Sequence, residues 1–376
     1  MQCAVGTAAF LPTPAQELLL KACLFEGKEA IAAWRAWREA TSVDDIDPGS
    51  VRLLPMLAKN MRQYAAGEAA LGKYSGVQRR TFVRNQLLIR GAVLASHQLL
   101  KAGIPTIALK GIVLASICYE TMSLRPMGDI DLLAPRKDAL KAIDVMQVHG
   151  WRMPPDGSRP HAPADFAMMY ACSIQHRANP EVTVDLHWRL LWERFSEEAE
   201  AELWRRAVRF EIGGTELLAP SAADMLVHTC AHGARWNVLH PVRWVVDATL
   251  LMRTSAIDWA HFVAQTERLG LALPIVLTLG YLRSAMHVPV PDAVMRTLEQ
   301  SPVSSIERLL HRSQLQSPER RGLLDALRLH HHIAQHELVR LQGLIGYWHY
   351  FLAKRGDRSL LDVASWARQR LTSGAS

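Results

Sequence analysis

The run Leu124-Arg125-Pro126-Met127-Gly128-Asp129-Ile130-Asp131-Leu132-Leu133 places two carboxylates two residues apart inside an otherwise apolar segment. Side chains at i and i+2 of a strand share a face, so a strand over 127–133 projects Asp129 and Asp131 together and buries Ile130 and Leu132 behind them. Two anions that close repel each other and need either a proton or a cation. A hard divalent ion with oxygen ligands is the usual resolution.

The surroundings of this run fix the kind of fold that can carry it. Apolar residues recur at helical spacing from Pro14 to Tyr64, with a break at 44–49, and again over 77–102, where Gly103 ends the helix. The period then changes: 104–109 reads as a short buried strand stopping at Lys110-Gly111, and 112–119 as a helix that starts directly after the glycine. A second strand (127–133), a second helix (136–150), a third strand (166–175) and a fourth (182–188), turned at Arg177-Ala178-Asn179-Pro180, complete a small mixed α/β unit. Beyond Leu191 the pattern is helical, interrupted by a hairpin in which 208–212 and 216–218 flank Gly213-Gly214. Ser221 is placed to cap a helix with Asp224 in its first turn. The expected fold class is therefore α+β: a helical region at 1–76, a mixed-sheet core at 77–192, and a mainly helical part at 193–376 with a short hairpin near 208–218.

On the fourth strand, alternation puts Val182, Val184, Leu186 and Trp188 on one face and Thr183, Asp185 and His187 on the other. Asp185 thus leaves an apolar strand as Asp129 and Asp131 do. Three carboxylates on neighbouring strands make a site where magnesium, as one ion or two, can hold a triphosphate and ease deprotonation of an attacking hydroxyl. The segments Leu109-Lys110-Gly111, Arg125-Pro126-Met127-Gly128-Asp129-Ile130-Asp131 and Val184-Asp185-Leu186-His187-Trp188 resemble the uncharacterised bacterial nucleotidyltransferase family labelled NTP_transf_5, of the DNA polymerase β-like superfamily. His228-Thr229-Cys230-Ala231-His232-Gly233-Ala234-Arg235-Trp236 and Arg243-Trp244-Val245-Val246-Asp247 extend the likeness, so that it covers roughly residues 80–260.

That resemblance implies a polymerase β-like core flanked by helical regions. It also implies a magnesium-dependent transfer of a nucleoside monophosphate from an NTP, with ATP the first candidate, to a hydroxyl-type acceptor on a small molecule, peptide or protein, releasing pyrophosphate. Asp129, Asp131 and Asp185 are the implied metal-binding and catalytic set. Lys110, Gly111, Arg125, Gly128, His187 and Arg235 are the expected nucleotide-handling residues, with Gly111 admitting the phosphates to the start of the following helix. One departure stands out: many active superfamily members carry Gly-Ser at the strand-to-helix turn, where this chain reads Lys110-Gly111-Ile112. Lys110 or Arg125 could replace the missing hydroxyl with a charge. The alternative reading is a catalytically inactive nucleotide sensor or interaction scaffold on the same fold.

Other patterns constrain less. Arg125 could instead pair with Asp129 as a structural salt bridge, and Lys110 could simply cap the strand edge. His228 and His232, at i and i+4, lack the glutamate of a zinc protease helix and suit packing or a substrate-side role. Arg243 is as well placed as Arg235 to face a nucleotide. The cluster His330, His331, His332 and His336 is assigned no ligand. Trp34, Trp37, Trp188, Trp192, Trp236 and Trp244 are read as packing residues rather than base-stacking platforms. The chain's 376 residues carry a net charge of +7 without a block of like charges, which favours a phosphate-bearing ligand without implying nucleic acid. Five scattered cysteines with no C-x-x-C indicate neither disulfides nor zinc. No export signal or run of about 18 apolar residues is read, so a cytoplasmic protein with no membrane partner is expected.

Overall fold

The computed structural model describes residues 10–42, 45–64, 69–153, 169–192, 194–235 and 242–316. Four helices come first: α1 (Pro14–Leu24), α2 (Gly27–Ala40), α3 (Pro48–Val51) and α4 (Leu54–Met61). The side chain of Thr13 accepts from the Gln16 amide while the Gln16 side chain returns to the Thr13 amide, a reciprocal cap that starts α1 where Pro14 cannot donate. The 33-residue α5 (Ala69–Lys101) follows and crosses position 76, where the sequence suggested a boundary.

The sheet has seven strands: β1 (Ile107–Ala108), β2 (Ile130–Leu133), β3 (Trp151–Arg152), β4 (Ala171–His176), β5 (Thr183–His187), β6 (Val208–Ile212) and β7 (Thr215–Ala219), in the order β3-β4-β5-β2-β1-β7-β6. β2 runs parallel to β5 with Asp131 beside Asp185 and Leu133 beside His187. β1 pairs antiparallel with β2 and parallel with β7, through Ile107 and Leu218. The β6–β7 hairpin therefore extends the central sheet, although its sequence position suggested a separate helical part. Without β7, β1 would be an edge with unpaired backbone groups; β7 pairs that side and makes β1 an interior strand.

Several expected strands are shorter than read: 104–109 narrows to β1, 127–133 to β2 and 182–188 to β5. β2 begins at Ile130, so Asp129 lies just before the strand rather than in it. Pro126 lacks an amide, and the carbonyls of Met127 and Gly128 accept from Arg84 of α5 at 3.2 and 3.0 Å, which holds this stretch off the ladder. Asn85, wholly buried, donates to the carbonyls of Met122 and Arg125 at 2.7 and 2.9 Å and accepts from the Met127 amide. The loop carrying Asp129 is thus pinned to α5 by two adjacent side chains.

α6 (Lys110–Ile117) and α7 (Ala139–Val148) pack against the sheet, and α8 (Glu197–Arg205) leads into the hairpin. Then come α9 (Ala222–Gly233), α10 (Arg243–Thr254), α11 (Trp259–Arg268), α12 (Ala272–Ala285), α13 (Asp292–Gln300) and α14 (Ser305–Gln314). Ser221 caps α9 by accepting from the Asp224 amide, as its sequence suggests. One continuous core links these helices to the N-terminal ones through Leu19, Leu57, Ala92, Leu132, Val184, Leu226 and Ile275, so the three sequence segments share their apolar interior. A smaller cluster of Ile107, Leu109, Leu133 and Leu203 covers the end of the other sheet face. Among the described residues no helix is long and apolar enough to cross a membrane. The histidine cluster 330–336, Trp236 and the start of the expected third strand lie outside the described residues.

α9 and α10 meet at a contact only glycine allows. A Cβ on Gly233 would lie 2.3 Å from Cγ of Trp244, a residue only 5% exposed, so the substitution forces the indole or the helix pairing to shift. Gly233→Ala is expected to lower stability by about 1–3 kcal/mol, measured as the shift in urea midpoint, through overpacking.

Candidate active site

The two strands that carry acidic residues are adjacent and parallel, and their register brings Asp131 and Asp185 side by side on one sheet face. Val184, Leu186, Ile130 and Leu132 fill the opposite face at 0–1% exposure, which fixes the direction of the polar set. Asp131 is 6% exposed and is held twice on the same oxygen. Nζ of Lys110 donates to its Oδ1 at 2.8 Å, and Nε2 of His187 lies 2.9 Å from that atom. Neither contact falls on Oδ2. Burial would raise the Asp131 pKa, but the Lys110 charge and the His187 hydrogen bond hold it well below the usual carboxylate range.

Asp185 accepts from Oγ of Ser173, directly opposite on β4, at 2.7 Å. Asp129 behaves differently from both. Its side chain reaches the surface at the mouth of the site, yet it is crowded by the surrounding walls. That desolvation, together with the charges of Asp131 and Asp185, pushes its pKa above the ordinary value despite Lys110 and Arg243. A carboxylate strained in this way by two neighbours marks a place short of positive charge.

These groups line a cleft of about 320 Å³. Its floor is the turn Lys110-Gly111 and the loop Arg125 to Asp129; its walls are His228, Thr229 and His232 of α9 and Val242, Arg243, Trp244 and Asp247 around the start of α10. Arg52 and Gly49 of the N-terminal helical region border it, and Tyr170 closes one side. Lys110 sits at φ +42, in the left-handed region that side chains with a Cβ seldom adopt. That backbone turn is what lets α6 start immediately after β1.

Arg125 does not pair with Asp129. It is 2% exposed and makes a two-pronged bond to Asp247 of α10, Nε to Oδ1 at 2.8 Å and Nη2 to Oδ2 at 2.7 Å. The Tyr119 hydroxyl donates to the same carboxylate at 2.7 Å, and Nε of Arg243 lies 3.9 Å from it. Arg243 also donates to the carbonyl of Pro126. Burial would raise the Asp247 pKa, but Arg125 outweighs it and keeps the carboxyl below the usual range; burial and the neighbouring Arg125 lower Arg243 to about 10. Arg125 retains one buried donor, Nη1, without a partner, beside Gly111 on the cleft floor; a Cβ on Gly111 would lie 3.2 Å from it.

The sequence-expected residues therefore separate by location. Asp129, Asp131, Asp185, Lys110, Gly111, Arg125 and Gly128 all line the cleft. His187 is 1% exposed and touches Asp131 from behind, so it positions that carboxylate rather than facing the cleft. Arg235, half-buried at the end of the described part of α9's loop, does not line the cleft, whereas Arg243 does. His228 is 3% exposed with Nε2 unpartnered, and burial followed by the Lys110 charge pushes its pKa well below the ordinary value. His232 is depressed in the same way by burial and then Arg235.

The three carboxylates supply the hard oxygen donors a magnesium ion takes. They do not form a finished cage: among the described residues no three His, Cys, Asp or Glu groups are positioned to hold a metal ion. Asp131 is engaged by Lys110, and Asp129 stands one residue outside the strand. The donor chemistry of the three carboxylates fits the ion.

Ser173, Tyr119, Asn85, Arg84 and Asp247 carry parts of this arrangement that the sequence did not assign. Asp247 lay in a recognised motif without a role, and only the fold shows that its partner is Arg125, 122 residues earlier.

Among curated proteins none matches the chain. A crystal structure of an antigenic nucleotidyltransferase-like protein from Paracoccidioides brasiliensis is similar at 15% identity, with a TM-score of 0.36, covering 57% of this chain and 96% of that one. The sequence model of the family described as uncharacterised nucleotidyltransferase matches residues 50–287, from the cleft-bordering α3 through α12, which is more than half of the 376 residues. The chain belongs to the uncharacterised nucleotidyltransferase family.

Proposed function

We propose that the protein transfers a nucleoside monophosphate from an NTP, ATP first among the candidates, to a hydroxyl-type acceptor on a small molecule, peptide or protein. The observation that supports this most is the register of Asp131 with Asp185 on parallel strands, at a cleft whose mouth holds Asp129. Asp129, Asp131 and Asp185 would hold magnesium, which when bound neutralises the triphosphate and the charge developing at the α-phosphorus. Arg125 Nη1 and the start of α6 at Gly111 offer donors to phosphate oxygens, and the glycine lets the chain of phosphates approach the backbone. The acceptor oxygen forms a bond to the α-phosphorus as the bond to the β-phosphate oxygen breaks. Pyrophosphate leaves, and the acceptor proton passes to an oxygen of Asp185, which Ser173 keeps oriented. Positioning and charge compensation carry the catalysis, as is general for phosphoryl chemistry.

Calorimetric titration with an unhydrolysable ATP analogue tests this directly. Binding is expected to require magnesium and to weaken at least ~10-fold in Asp185→Asn, the least that disturbing a metal's ligand environment usually costs. Equal binding with and without magnesium, and equal binding by the variant, would remove the transferase reading. Pyrophosphate release from ATP then separates an enzyme from a sensor, since the sensor binds the analogue and releases nothing.

A further inference from the structure

We propose that Lys110 is the resident counter-cation of the carboxylate cluster: its ammonium holds Asp131 until a divalent cation displaces it, and then passes to the phosphates of the nucleotide that joins the cation. This rests on the nucleotide reading above and adds the order of events at that site.

The geometry gives Lys110 both positions. Its Nζ lies 2.8 Å from Asp131 Oδ1, and that side chain is 23% exposed where its partner is 7% exposed, so the ammonium forms part of the cleft surface over a buried carboxylate. The residue sits at φ +42 as the first residue of α6, immediately before Gly111. The base of the side chain is therefore at the start of α6, where a phosphate group is expected, while its tip reaches back to β2. A lysine stem has four flexible carbons and a point charge with three donors, so it can exchange one oxygen partner for another without rebuilding the turn.

Charge supplies the reason for the exchange. Lys110 is hydrogen-bonded to one of the three carboxylates only; Asp185 is satisfied by the neutral hydroxyl of Ser173. A divalent cation shared by the three is the better match, but it cannot take Asp131 fully while the ammonium keeps Oδ1. Once the ammonium leaves, it becomes an unpaired charge on the cleft wall, and the triphosphate brought by the cation is its natural partner. Metal and nucleotide are thereby linked: each makes room for the other, a coupling of the kind usually worth about 5–150-fold in affinity.

Two measurements on the full chain test this. In the first, manganese binding without nucleotide is followed by electron paramagnetic resonance. Lys110→Met is expected to bind manganese at least ~5-fold more tightly than the native protein, whereas Arg52→Met, which removes a cleft-bordering charge that touches no carboxylate, changes it less. In the second, the amine of Lys110 is acetylated by dilute acetic anhydride and quantified by mass spectrometry. Its reactivity is expected to rise when magnesium alone is added and to fall again when an unhydrolysable ATP analogue joins it. Unchanged reactivity on adding magnesium, or an equal effect of the two variants on manganese affinity, overturns the exchange while the nucleotide reading stands. A native protein that binds neither manganese nor the analogue overturns both.

Discussion

Asp247→Ala is expected to destabilise the protein by about 3–5 kcal/mol, because it leaves the Arg125 guanidinium buried without its counter-ion. Arg125 is 2% exposed, and two of its nitrogens are committed to that carboxylate. Water cannot replace the lost partner, and the Tyr119 hydroxyl loses its acceptor as well. Arg243 would take over poorly, being 3.9 Å from the carboxylate and already bonded to the Pro126 carbonyl. The effect would be measured by urea unfolding at neutral pH. The isosteric pair Arg125→Met with Asp247→Leu should recover most of it, since replacing a buried ion pair by apolar groups is often neutral or stabilising. The pH dependence follows in sign. Asp247 has a folded pKa below its unfolded value, so its contribution is present above the unfolded pKa and is lost as the pH falls through the folded one. Asp247→Ala should flatten that acid limb of the stability profile.

The pair also shows why the sequence could be read so far and no further. Strand alternation put Asp131 and Asp185 on one face, as their register on β2 and β5 does, whereas Asp129 lies one residue before β2; the period change at Gly103 located the strand-to-helix turn. Nothing in a linear pattern ties Arg125 to Asp247, or Asn85 to the carbonyls of the loop before Asp129, because those contacts are created by helices that arrive from distant segments. The same limit explains Lys110. A lysine before a glycine reads equally as a phosphate ligand or a strand cap, and its bond to Asp131 appears only when β1 and β2 pair. The sheet's outer strands failed differently. Hairpin 208–219 was legible as a hairpin, but its membership in the central sheet depends on a single parallel bridge from Ile107 to Leu218. Such a connection has no signature in either strand.

Asp131→Asn is expected to separate chemistry from folding, the reverse of Asp247→Ala. Loss of a carboxylate that would hold magnesium should lower magnesium-dependent nucleotide transfer at least ~100-fold, beyond the upper end of what removing an indirect metal contact costs. Stability should change far less than in Asp247→Ala. The released ammonium of Lys110 is 23% exposed and can turn to water, while asparagine keeps the shape and an oxygen for His187. A second readout is electrostatic. Asp129 is pushed up by burial and then by the charges of Asp131 and Asp185, so removing the Asp131 charge should bring the Asp129 pKa down. Carbon-13 NMR of the Asp129 carboxyl carbon would follow this shift, and the acid limb of any magnesium-dependent nucleotide transfer by the native protein should lie above that of an ordinary carboxylate, since Asp129 must be ionised to hold a cation. An Asp129 that titrates identically in both proteins would mean that the two carboxylates do not share one electrostatic site, and the proposed metal set would lose its physical basis.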